Sequence, residues 1–195
     1  MKDNLKYSLI IVLISMAINF SLTFIVLFFN IPFLFLDSAG TILTAAILGP
    51  IYGAIVGILT NLLLSLFLSY SHLYFTIINA LIGLITGLIA RKFKFRLLSA
   101  VVTGIIIGIM SASIGVPISV ILTEGLSGGT IDGFIKSMIE CGLNITEASF
   151  IARLIANIFD KVLSCIIVYL MIKKIIFFQK YIKLNNKKEE NKDDI

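Results

Sequence analysis

The chain has 195 residues, of which 58% are hydrophobic and 14% charged, and its net charge is +5. Such proportions exclude an ordinary soluble domain and read as an all-α integral membrane protein. The positive charge then reports topology rather than nucleic-acid binding, and the two cysteines, Cys141 and Cys165, fall in different environments, which argues against a disulfide framework or a metal site.

A hydrocarbon core about 30 Å thick needs roughly 20 helical residues. Six stretches fit: Tyr7–Phe29, Phe33–Leu48, Ile51–Ser69, Leu73–Ala90, Leu97–Leu122 and Ala148–Ile172. The first follows Lys2 and Lys6 but is longer than a signal-peptide core and lacks a cleavage site, so it reads as a membrane helix. Asp37 and Ser38 interrupt the second and Gly49-Pro50 ends it. Ser38 to Leu48 alone supplies only ~16 Å of helix, so this is a short span capped by a polar turn or a broken helix. Broken helices at membrane depth persist only where they are buried in protein or line a cavity.

Lys2 and Lys6, the Arg91, Lys92, Lys94 and Arg96 cluster, and the lysines from Lys173 onward all fall on one side if the spans number six. The positive-inside rule makes that side, and both termini, cytoplasmic. Residues 1–175 thus form the membrane domain and 176–195 a mixed-charge tail, expected to be disordered, whose lysines also attract anionic membrane lipid. On the outer side the loop Thr123–Glu147 carries Ile131, Phe134, Ile135, Met138 and Ile139 at helical spacing, opposite Asp132, Lys136 and Glu140. This is a short amphipathic helix, either a lid over an external site or a connector resting on headgroups.

The last span holds the most informative residues: Arg153, Asn157, Asp160 and Lys161. A charge near mid-bilayer costs about 2.5 to 17 kcal/mol, so such residues mark a polar site by default. Arg153, Asn157, Asp160 and Ser164 share one stripe at steps of four, three and four, while Lys161 is rotated by about 100°. Asp37, Asn61, Asn79, Ser111 and Ser113 map to the outer half as well, with Glu147 near the mouth. A polar cavity open to the outside follows. The plainer reading is that Asn and Ser glue helices together and that Arg153 and Asp160 form a buried ion pair. Small residues recur at Gly49, Gly53 and Gly57, at Gly83 and Gly87, and at Gly104, Gly108 and Ala112, which permits close helix packing. Hydrolase and metalloprotease motifs are missing, the one His72 sits at an outer turn, and the near-miss phosphate loop at Gly128–Gly133 lacks its lysine.

The run Leu48-Gly49-Pro50-Ile51-Tyr52-Gly53-Ala54-Ile55-Val56-Gly57 with Asn61, the lead-in Phe35-Leu36-Asp37-Ser38-Ala39-Gly40-Thr41, and the ending Asp160-Lys161 to Tyr169 with Lys173-Lys174 resemble substrate-binding S components of energy-coupling factor (ECF) transporters. The resemblance implies a multi-pass protein of the cell membrane that captures a vitamin or precursor outside. A transmembrane coupling protein and two ATPase subunits would then drive its delivery. The chain itself would be no enzyme and carry no cofactor. Family members present an Ala-x-x-x-Ala face on the first helix to the coupling protein, for which Ala17 and Ser21 are the nearest match. The expected ligand is a small polar organic nutrient, anionic or zwitterionic, with Arg153 pairing its acid group. Asn61, Asn79 and Asn157 would bind its periphery, Asp37 and Glu147 would stand at the mouth, and Asp160 would mark the floor. The other reading is a stand-alone secondary transporter that uses Asp160 and Lys161 as an ion relay.

Overall fold

The computed structural model describes residues 2–126, 131–175 and 178. The Gly128–Gly129 pair and nearly all of the tail expected to be disordered lie outside them. The described residues form helices and connecting turns, with no strand. In chain order the helices are α1 (Lys2–Phe28), α2 (Ala39–Leu48), α3 (Pro50–Phe67), α4 (Ser71–Tyr74), α5 (Thr76–Phe93), α6 (Leu97–Thr123), α7 (Asp132–Glu140) and α8 (Ile145–Lys174).

Five are long and apolar enough to cross a membrane: α3, α5, α6, α8 and the Leu5–Phe28 part of α1. The expected second span is not one helix. Its helical part has ten residues, about 15 Å. Residues ahead of it run without regular structure, with positive φ at Asn30, Phe33 and Leu36. The expected fourth span also divides, at Phe75, into the single turn α4 and the 18-residue α5.

Glycines decide how the long helices meet. The Gly53 and Gly57 face of α3 lies on the Asn79 and Gly83 face of α5, and Gly87 meets Pro50, so the two helices run antiparallel. A methyl group built on Gly83 would stand 2.5 Å from the Ala54 nitrogen. On the other side, a Cβ on Gly104 would lie 2.6 Å from Val162 Cα, and one on Gly108 would lie 2.8 Å from Ile158 Cα, pairing α6 with α8 in the same antiparallel sense. Close backbone approach of this kind replaces the hydrophobic drive that lipid cannot supply. The core between these pairs comprises Ile11, Ile42, Leu43, Ile78, Ile82, Ile107 and Val168. A second, smaller cluster forms where Ile131 and Ile135 bury against Ala148, Ala152 and Ala156 of α8. The amphipathic helix α7 therefore packs onto protein.

Candidate functional site

Asp160 and Lys161 organise the break before α2. Asp160 Oδ1 accepts the backbone N–H groups of Phe35 (2.9 Å) and Leu36 (2.8 Å). Lys161 Nζ donates to Asp160 Oδ2 at 2.7 Å and to Asp37 Oδ1 at 2.9 Å. Asp160 is fully buried and Lys161 is 3% exposed, whereas Asp37 keeps 27% of its side-chain surface. Backbone that has left the helix at this depth must find partners in protein, and here a carboxylate on α8 supplies them. Lys161, rotated off the polar stripe, pairs with its own neighbour and with Asp37.

A second set of bonds reaches Asp37 from the other side. Asn79 Nδ2 donates to the Asp37 carbonyl (3.3 Å) and to Asn61 Oδ1 (2.9 Å), and Asn61 Nδ2 donates to the His72 carbonyl (3.1 Å). Gly57 makes this possible, because it lets α3 lie against the Asn79 backbone one turn before Asn61. Asp37, Asn61, Asn79 and Asp160 are thereby joined, with Lys161 and His72, in one polar chain linking α3, α4, α5, α8 and the residues before α2. Burial holds the His72 imidazole below its ordinary pKa, and the nearby Asp37 carboxylate only partly opposes this.

Arg153 and Asn157 form a separate group, nearer the start of α8. Arg153 Nη2 donates to the Gly125 carbonyl (3.3 Å), which also accepts from Ser149 Oγ, and Asp132 of α7 adds an opposite charge close by. Asn157 Nδ2 turns back to the Arg153 carbonyl at 2.8 Å. Glu147 is exposed and completes a capping box with Asn144: Glu147 N–H donates to Asn144 Oδ1 (2.9 Å), and Asn144 N–H to Glu147 Oε2 (3.2 Å). Above this group, Phe33 stacks edge-on against Phe134 of α7, with ring centres 5.4 Å apart. The break before α2 and the loop helix thus touch each other as well as α8.

One organising residue escaped the sequence reading. Asn19 of α1 is fully buried; its Nδ2 donates to Thr41 Oγ1 (3.1 Å) and Thr60 Oγ1 (3.0 Å), and its Oδ1 accepts the Gly40 N–H (2.6 Å). It so caps α2 from a different helix. The signal was there, since an Asn in the middle of an apolar span is costly unless partnered. Ala17 and Ser21, on either side of it in the chain, point outward and are exposed. Among the described residues no group of His, Cys, Asp and Glu is arranged to hold a metal ion.

No curated protein and no solved structure gives a significant match to the chain. A family model does: that of the ECF-type riboflavin transporter, S component, over residues 6–176. It spans every long helix and the whole polar chain described above. The protein belongs to this family of transporter S components.

Proposed function

We propose that the chain is the substrate-capture subunit of an ECF-type importer and that its ligand is riboflavin or a closely related flavin. The carrying observation is the family match over residues 6–176. The buried polar chain built around Asp37 supports it. Riboflavin is uncharged, unlike the acid expected from Arg153. The charges on the site favour that revision: Asp37 and Asp160 against Lys161 leave one net negative charge, which repels a carboxylate or phosphate. Arg153 is engaged with the Gly125 carbonyl, just beyond the end of α6. Asn61, Asn79, Asn157 and the exposed edge of Asp37 would meet the ligand, with Asp160 beneath.

On this reading α2 and the residues before it complete a sixth passage. The end bearing Arg91–Arg96 and Lys173–Lys174 is cytoplasmic, by the positive-inside rule. A transmembrane coupling protein would dock on the Ala17 and Ser21 face of α1, and two ATPases would supply the energy. Flavin fluorescence provides the test: riboflavin titrated into the purified protein should be quenched stoichiometrically, and uptake in cells should require the ATPase partners. Uptake that persists without them and collapses with the proton gradient would overturn the importer reading.

A further inference from the structure

Two backbone carbonyls determine which way the buried amides point. Asn61 must turn Nδ2 to the His72 carbonyl, which leaves its Oδ1 facing Asn79. Asn79 must then turn Nδ2 to both Asn61 Oδ1 and the Asp37 carbonyl, and its two amide hydrogens are spent. Asn79 Oδ1 is left over: the residue is 2% exposed, and this oxygen has no hydrogen-bond partner among the described residues. Rotating the amide would set oxygen against two acceptors, so the network cannot relieve it. Buried hydroxyls can turn to a carbonyl one helical turn back, but an amide oxygen can only wait for a donor. Ser38, which follows the carbonyl that Asn79 grips, carries a second buried, unpartnered oxygen, and a hydroxyl is also a donor.

We infer that Asn79 Oδ1 is the acceptor for the imide N–H of the flavin ring, with Ser38 Oγ donating to an adjacent ring carbonyl. This rests on the flavin reading above and names the atoms that would read it. The oxidised isoalloxazine has a single N–H, at N3, between two carbonyls, and this matches one orphan acceptor on Asn79 and one orphan donor on the residue that follows the carbonyl Asn79 grips. The flexible ribityl chain is a poorer fit. It would bring several hydroxyls to a wall of Ile78 and Ile82 that leaves most of them unsatisfied. Both orphan atoms are sealed from solvent, so the ring edge enters when residues 35–38 draw aside from α5 and closes the site behind it.

The test compares three flavins on the purified full chain by fluorescence or calorimetry: riboflavin, N3-methylated riboflavin, and lumiflavin, which keeps N3–H but lacks the ribityl chain. The wild-type protein should bind the N3-methylated compound at least about tenfold more weakly than riboflavin, since a site built for a donor rejects its absence. In Asn79→Ala that gap should shrink below about twofold, and lumiflavin should lose affinity in parallel with riboflavin. If Asn79→Ala does not fold, Asn79→Ser serves in its place. A gap that survives the substitution, equal wild-type binding of the methylated compound, or lumiflavin binding indifferent to Asn79 would each overturn the assignment. Wild-type protein that binds no flavin at all removes the functional reading itself, a result distinct from these.

Discussion

Lys161 Nζ lies 2.9 Å from Asp37 Oδ1 and 2.7 Å from Asp160 Oδ2, so one ammonium bridges carboxylates from two separate parts of the chain. Removing it should do more than loosen the fold locally. Lys161→Met leaves two carboxylates in a buried site, and stability measured by thermal unfolding in detergent should fall by about 3–5 kcal/mol. Asp160→Asn retains an oxygen for the Phe35 and Leu36 N–H groups and should cost clearly less than Asp160→Leu. Equal losses in those two variants would show that Asp160 does not hold this backbone.

Asn19 makes three bonds to α2 and α3. At roughly 0.6 kcal/mol for each interhelical bond, Asn19→Leu should destabilise by about 2 kcal/mol. Asn19→Asp keeps the acceptor for Gly40 but loses both donors and buries an unpaired carboxylate, so it should cost more than Asn19→Leu. Denaturation series on the three proteins give the ranking directly.

Glycine substitutions should separate sharply by position. Gly104→Ala drives a methyl group into the Val162 backbone and should cost about 1–3 kcal/mol. Gly133→Ala meets nothing within 4 Å and should be neutral or stabilising by less than about 1 kcal/mol. Thermal midpoints that fail to distinguish the two would count against the α6–α8 packing.

Glu147→Ala should lower stability by about 0.5–2 kcal/mol, as expected for a lost cap, and leave riboflavin affinity within about twofold. A collapse of binding without loss of stability would instead return Glu147 to the mouth of the site as a ligand contact.

Acid should weaken the protein through His72. Its folded pKa lies below the ordinary value of about 6.5 because burial disfavours the imidazolium. The neutral ring therefore contributes stability that is present above the unfolded pKa and is lost as pH falls through the folded one. Thermal midpoints followed downward from neutral pH should drop, and His72→Gln should flatten that part of the curve.

The long helices were legible because an apolar run of sufficient length has few alternatives, and the paired glycine stripes named the faces that meet. Asp37, Asn61, Asn79 and Asp160 were legible as polar residues in the wrong solvent. Their partners were not. Hydrogen bonds from Phe35 and Leu36 to Asp160 involve backbone, which carries no sequence signature, and the non-helical run before Ala39 is as apolar as a helix would be. Glu147 was legible in another way, because the Asn144-x-x-Glu147 pattern announces the cap that the two residues form.

The break before α2 also bears on how the protein is made. Asp37 leaves the ribosome 124 residues before the lysine that neutralises it. Through that interval the ten residues of α2 are too short to settle across a bilayer, and an unpaired acid stands ahead of them. If α2 and its lead-in form the proposed sixth passage, that passage is completed late, once α8 has been synthesised and delivers Asp160 and Lys161 together. A nascent chain arrested before α8 should leave a cysteine placed at Ser38 open to a water-soluble thiol reagent, whereas the finished protein should shield it. A helix made late, α8, sets α2 in place.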